Sequence, residues 1–353
     1  MIDFIVSVPR EREAVILHLT DTQIIDSSQQ RSASRLGAIQ TEYWKPENKN
    51  IRCYDYLRDI ITTTNPDLIL ITGDLVYGEF DDNGSNLIEF INFFESFKIP
   101  WAPVFGNHDN ESDMGVDWQC DQLDAAEHCL FLQRKLTGNG NYTVGIKQGD
   151  DLTRVFFMLD SNGCSAAKSV NEHTKTSVGF GQDQVDWYTE IAAEIIKQSP
   201  DTKISMAFHI QFSVFAEAFA KYGTDGSKKV YIDNLPDKSE GDFGYIGSKM
   251  KNVWDGDKRI WNGFKAIGVD SVLVGHEHAN SASIVYDGIR LQYGMKCSTY
   301  DRNHYIKSNG DIYLEYVPYF SADRPWIGGT VMKLNSNGAI TDAHIYYSKE
   351  SKD

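Results

Sequence analysis

Asp67-Leu68-Ile69-Leu70-Ile71-Thr72-Gly73-Asp74-Leu75-Val76-Tyr77 carries a short apolar run that stops at glycine and aspartate. A run of that length, bounded by turn formers, predicts a buried strand over Asp67 to Thr72. On either side the apolar spacing lengthens to that of helices, at Cys53 to Thr64 and Asn86 to Phe97. Strand and helix keep alternating outward from there. Ala14 to Thr20, Trp101 to Phe105, Arg154 to Leu159, Lys203 to Phe208 and Ser271 to Val274 read as strands, with helices at Gln182 to Lys197 and Lys258 to Ala266. That order predicts an α/β layered fold. Toward the end the helices give way to two hairpin signals. Asp287-Gly288 separates Ser281 to Tyr286 from Ile289 to Tyr293, and Asn335 to Gly338 separates Gly329 to Leu334 from Ala339 to Tyr347.

The 353 residues are read as one domain, 1–353, with loop insertions at 110–141 and 211–257. Long loops beside a strand-end site are where substrate contacts gather. Apolar residues at 41% and charged residues at 24% are ordinary for a folded globular protein. With 34 basic against 50 acidic residues, the net charge of −16 has the wrong sign for gripping a nucleic-acid backbone, so no nucleic-acid partner is expected. Bound cations can reverse such a field locally, which keeps a phosphate substrate open. Cys53, Cys120, Cys129, Cys164 and Cys297 are widely spaced with no Cys-x-x-Cys pair, so reduced, structural thiols are expected. No leader is visible and no apolar run approaches the length of a spanning helix. The expectation is therefore a cytoplasmic protein, or a secreted one if a leader was removed, with no membrane span.

In open α/β sheets ligands sit beyond the carboxyl ends of the strands, so the residue that follows each apolar run matters most. Those positions hold Asp21-Thr22-Gln23, Gly73-Asp74, Gly106-Asn107-His108-Asp109, His209 and Gly275-His276-Glu277-His278. One aspartate after a strand is usually a helix cap, and one histidine is usually a hydrogen-bonded core residue. Separate strand ends that all close in Asp, Asn or His, several of them beside glycines that let backbone approach an ion, point to metal ligands.

The ordered set resembles the calcineurin-like metallophosphoesterase superfamily, whose pattern is Asp-x-His, Gly-Asp, Gly-Asn-His-Asp/Glu, a lone His and Gly-His-x-His. The resemblance runs from Asp21 to His278. It implies a four-layer αββα sandwich, two mixed sheets flanked by helices, around a pair of metal ions. Asp21 and His278 would hold the first ion, Asn107, His209 and His276 the second, and Asp74 would bridge them. Gln23 departs from the pattern, since a neutral amide is a poor substitute for the expected imidazole. Gly73-Asp74-Leu75-Val76-Tyr77 is similar to the Gly-Asp-x-x-Tyr of purple acid phosphatases, where the tyrosine binds the first metal as phenolate. Tyr77 is either that ligand or a residue packed beside the site. Iron, manganese or zinc are the candidate metals, and phenolate ligation favours an Fe(III)/divalent pair.

Two ions held close together can supply a bridging hydroxide as nucleophile and clamp the phosphoryl charge. His108 is the candidate proton donor to the leaving oxygen, with Asp109 beside it to orient the ring or raise its pKa. The expected activity is hydrolysis of phosphomonoesters or phosphodiesters on a small molecule. Arginines that clamp a protein's phosphoryl group are lacking at Gly78-Glu79-Phe80 and Asn110-Glu111-Ser112, which disfavours phosphoprotein substrates. The competing readings are a degenerate, non-catalytic metal-binding protein and a metal-dependent nuclease, the latter opposed by the acidic charge. His173, His304 and His344 are read as surface or loop histidines, and Asn141-Tyr142-Thr143 as a chance glycosylation sequon.

Overall fold

A computed structural model describes residues 2–25, 50–78, 81, 83–163, 179–223, 230–247, 257–278, 280–297, 304–306, 312–314 and 327–348. His173, Cys164 and parts of the expected 211–257 insertion lie outside the described residues. In chain order the strands are β1 (Phe4–Val8), β2 (Ala14–Leu19), β3 (Leu68–Thr72), β4 (Trp101–Val104), β5 (Tyr142–Gln148), β6 (Asp151–Met158), β7 (Lys203–Ala207), β8 (Val230–Tyr231) and β9 (Tyr245–Ile246). They continue with β10 (Val269–Val274), β11 (Ser283–Tyr286), β12 (Ile289–Tyr293), β13 (His304–Ile306), β14 (Ile312–Leu314), β15 (Gly328–Leu334) and β16 (Ile340–Tyr347). The helices are α1 (Asn50–Thr64), α2 (Ser85–Glu95), α3 (Val116–Asp124), α4 (Gln182–Gln198), α5 (Val214–Ala220) and α6 (Asp257–Ala266).

Two large sheets carry the fold. One runs β1-β5-β6-β7-β10-β12-β11 and the other β16-β15-β2-β3-β4, both with parallel and antiparallel neighbours. Alternation along the strands separates the layers. Phe156, Met158, Ala207 and Leu273 of the first sheet belong to the same apolar cluster as Ile16, Leu17, Ile69 and Leu70 of the second. Their neighbours Val155, Phe157, Met206, Val272 and Val274 face the other way, onto Tyr188 and Ala192 of α4, Phe215 of α5 and Phe264 of α6. Leu57 and Ile61 of α1 with Phe90 and Phe94 of α2 cover the outer face of the smaller sheet. The expected αββα sandwich is the observed architecture.

Parallel register sets the strand ends level. Leu19 pairs with Ile71 and Thr72 with Val104, so Asp21, Asp74 and Asn107 leave one rim of the smaller sheet. In the larger sheet Ala207 pairs with Leu273, and the N–H of Gly275 donates to the His209 carbonyl at 3.0 Å, bringing the histidine-bearing ends together. A bridge from Thr20 to Lys296 ties the two sheets at that rim.

The strands β1 and β5 go beyond the runs read from sequence, and 110–141 is more than a loop. The helix α3 buries Leu123 and Cys120 in the main apolar cluster, and Cys129 bridges to Trp101. The four described thiols that the structure places, Cys53, Cys120, Cys129 and Cys297, are buried and unbridged. Asn141 of the sequon is also buried, its Oδ1 accepting from the Asp160 N–H and the Gln184 amide, which leaves no room for a glycan.

Candidate metal centre

The rim is built from backbone that few residues tolerate. Asp21, Gln23, Asp74 and His276 have φ of 53°, 46°, 53° and 74°, in the left-handed region that costs a side-chain-bearing residue on the order of 1 kcal/mol or more. Such strain persists where the surroundings impose it, and here it turns each side chain into the gap between the sheets. A Cβ on Gly275 would collide with the Thr20 hydroxyl, and one on Gly106 with the Asp74 carboxyl. Glycine at these positions is what lets the strand ends close on one another.

Two groups of donors result. In the first, Asp21, Asp74 and His278 each present an atom within 4.8 Å of the others. His278 Nε2 lies 3.1 Å from Asp21 Oδ1, while Asp21 Oδ2 accepts from the Thr20 hydroxyl and the His276 N–H. Gln23 occupies the place of the missing imidazole: its amide nitrogen donates to Asp74 Oδ2 at 3.0 Å and stands 3.3 Å from His278 Nε2.

In the second group, Asn107 Oδ1 lies 2.8 Å from His276 Nδ1 and 3.2 Å from His209 Nε2, and that nitrogen is 3.3 Å from Asp74 Oδ1. His209 Nδ1 donates to the Thr72 carbonyl at 2.7 Å. A carbonyl only accepts, so Nδ1 carries a proton in either protonation state of the ring, and Nε2 is the nitrogen turned inward. Asp74 is common to both groups, one oxygen turned to each.

The electrostatics fit cations. Burial would raise the Asp21 and Asp74 carboxyls, yet the histidines around them hold both below the ordinary carboxylate value. Burial, helped by His209, pushes His276 down to about 3, so that ring stays neutral as a ligand must. His209 goes the other way: burial opposes its protonation, but Asp74 and Asp21 outweigh it and raise it to about 10. These anions draw positive charge to the rim, and a mixed carboxylate, amide and imidazole donor set suits transition metals. The seven positions expected as ligands from sequence thus divide clearly. Asp21, Asp74, Asn107, His209, His276 and His278 converge. Tyr77 stands beside them, its ring stacked on His108 at 4.0 Å between centroids.

The role expected of Asp109 needs correction. Its carboxyl accepts from the N–H groups of Gly106, at 2.6 Å, and Val76, at 3.0 Å, so it staples the two glycine-bearing loops instead of touching His108. Burial and the nearby Asp74 raise its pKa. The group that meets the His108 ring is Glu111, whose Oε2 lies 2.7 Å from Nδ1. Sequence reading missed it. The signal was the spacing of three, which on a single 3-10 turn (Asp109–Glu111) returns a side chain to the residue that begins it. The Asp160 carboxyl, just past the end of β6, accepts from the backbone N–H groups of Asn139 and Asn162 and so holds a turn.

Paired mixed sheets within helices, with Asp, Asn and His gathered at one rim, are the architecture of the metallophosphoesterase fold class. A family model described as calcineurin-like phosphoesterase matches residues 14–280, and the chain belongs to that family. Among curated relatives, it is 24% identical over 240 residues to Phosphatase DCR2 of Saccharomyces cerevisiae, covering 64% of this chain and 38% of the relative. It is 25% identical over 266 residues to "Probable inactive purple acid phosphatase 29" of Arabidopsis thaliana, covering 68% and 61%. The chain therefore spans less than two thirds of either relative. A dimetal phosphatase from Danio rerio shares the fold, with a TM-score of 0.50 at 10% identity over 96% of this chain and all of that one.

Proposed function

We propose that this chain hydrolyses phosphomonoesters or phosphodiesters of small molecules, with Asp21, His278 and Asp74 holding one metal ion and Asp74, Asn107, His209 and His276 the other. The observation that carries the reading is the position of Asp74, with Oδ2 toward the first donor group and Oδ1 toward the second. The phosphatase names of the yeast and zebrafish proteins support the same reaction type. When bound, two ions would supply an activated water and a charge clamp for in-line displacement at phosphorus. The chain's own contribution is arrangement and proton traffic. The Thr72 carbonyl aims His209, the Thr20 hydroxyl and His276 N–H aim Asp21, and the His108 N–H donates to Asp74 Oδ1 at 2.9 Å. His108 then gives a proton to the departing oxygen.

Iron, manganese and zinc all suit these donors. Tyr77 completes the first site if its phenolate turns to the ion, and that geometry favours Fe(III). The second reading is a metal-binding protein without turnover. It rests on Gln23 in place of the expected imidazole and on Arabidopsis relatives named as inactive.

One preparation distinguishes these. The purified protein is expected to hold close to two equivalents of transition metal and to cleave p-nitrophenyl phosphate or its bis ester. One equivalent without turnover, under iron, manganese or zinc supplementation, establishes the binding reading instead. In the oxidised iron form, a visible charge-transfer band that disappears in Tyr77→Phe assigns the phenolate ligand. Lack of a band in the parent protein returns the first site to ordinary divalent ions.

A further inference from the structure

The Glu111 carboxyl is 1% exposed, and among the described residues its Oε1 has no hydrogen-bond partner. A half-satisfied buried carboxyl costs free energy, because the unmet oxygen has given up water without a replacement. Its other oxygen is committed to His108 Nδ1 at 2.7 Å. The turn that presents it is firmly built. Gly78 and Glu111 both donate backbone N–H to the His108 carbonyl, at 3.0 and 3.2 Å, the Ser112 hydroxyl donates to the Asp81 carbonyl, and the Gln119 amide to that of Asp109. A Cβ on Gly78 would meet the Ser112 N–H at 2.6 Å, so the loops after β3 and β4 are in direct contact here. The opposite restraint on the ring is the stacked face of Tyr77.

We propose that Glu111 is a positioning residue for His108: by accepting from Nδ1–H while Tyr77 holds the ring face, it fixes the tautomer and rotation that make Nε2 the nitrogen serving the leaving oxygen. The inference rests on the phosphoesterase reading for its kinetic consequence, and on geometry alone for the tautomer. Because the carboxylate accepts and never donates in this contact, Nδ1 must carry hydrogen in both protonation states of the ring. A ring released from Glu111 can swap tautomers or rotate, and the proton would then be presented from the wrong atom or the wrong angle.

Two readouts test this on the full-length, metal-loaded protein. Imidazole 15N–1H spectra are expected to show an exchange-protected Nδ1–H for His108, identified by its disappearance in His108→Asn and lost in Glu111→Ala. Retention of that proton in Glu111→Ala overturns the proposal whether or not the protein turns over. Kinetically, phenyl and p-nitrophenyl esters of whichever series the wild type cleaves are compared, since only the poorer leaving group needs a donated proton. Glu111→Ala is expected to slow the phenyl ester about 100-fold, within the usual range for a general acid, and the p-nitrophenyl ester far less. Glu111→Asp should recover part of the loss. Glu111→Ala added to His108→Ala should cost little beyond His108→Ala alone, the signature of one residue acting through another. Equal losses on both esters, or additive losses in the double variant, would show that Glu111 only supports the loop. Failure of the wild type on both esters defeats the phosphoesterase reading, while the spectrum still decides the role of Glu111.

Discussion

His18 lies under the centre, between the sheets, and did not figure among the candidate residues because it sits inside an apolar run. Its Nδ1 accepts from the Gln292 amide at 3.1 Å, so Nε2 carries the proton and donates to the Thr72 hydroxyl at 2.8 Å. Thr72 in turn offers its carbonyl to His209 Nδ1 and to the Thr20 hydroxyl. Neutral imidazole satisfies every atom in this chain of bonds. Burial, opposed only weakly by Asp21, holds His18 down to about 3 against an ordinary 6.5. Between those values the unfolded chain takes a proton that the folded protein refuses. Its contribution to stability is therefore whole above pH 6.5 and falls as pH drops toward 3, by at most about 1.4 kcal/mol per pH unit. Urea midpoints measured from pH 7 to pH 4 should fall less steeply in His18→Gln than in the parent. Parallel profiles would mean that other groups account for the acid sensitivity.

At the scale of elements, the segment 110–141 shows where a linear reading stops. It fits neither the strand nor the helix pattern in sequence, and so reads as a loop insertion. Yet residues 128–130 run beside β4, Trp101 donating to the His128 carbonyl at 3.0 Å and Leu130 to that of Trp101 at 2.7 Å, which covers an otherwise open sheet edge. The helix α3 seals the same corner with Leu123, fully buried. Leu123→Ala is expected to destabilise the fold by about 2–4 kcal/mol in urea unfolding, as for a core leucine; a loss below about 1 kcal/mol would make this segment a peripheral loop. The strands β2, β3, β4, β6, β7 and β10 are legible because strands in parallel pairs between covered faces carry mostly apolar runs. By contrast, β5 alternates Tyr142, Val144 and Ile146 with Thr143, Gly145 and Lys147, and β1 exposes Ile5 while burying Val6 and Val8, so neither reads as a run. The site was legible for the same reason that the strands were. Each ligand type follows directly on an apolar run, and register then makes neighbours of residues far apart in sequence. Glu111 and His18 were hidden, since only a folded turn or an inter-sheet contact gives either of them a partner.

Taken whole, the molecule carries −16 and concentrates two buried carboxyls where its sheets meet. Asp21, Asp74 and Asn107 leave the smaller sheet, while His209, His276 and His278 leave the larger one. Ions held by these six side chains would cross-link the sheets and offset the repulsion between Asp21 and Asp74. Ligands that bind only the folded state stabilise it by mass action, about 2.7 kcal/mol per site at one hundred times the dissociation constant. Protein stripped with a chelator should therefore unfold several degrees lower than protein resupplied with manganese or zinc, given roughly 2–4 °C per kcal/mol for a chain of a few hundred residues. Asp74→Asn should remove most of the shift, because it weakens both donor groups together, whereas Asp21→Asn should leave the second group's share. An acidic surface alone would also gain from cations, but that gain would survive Asp74→Asn and fade in high salt. A full shift retained in Asp74→Asn would place the ions away from the rim and separate the fold's stability from the centre altogether.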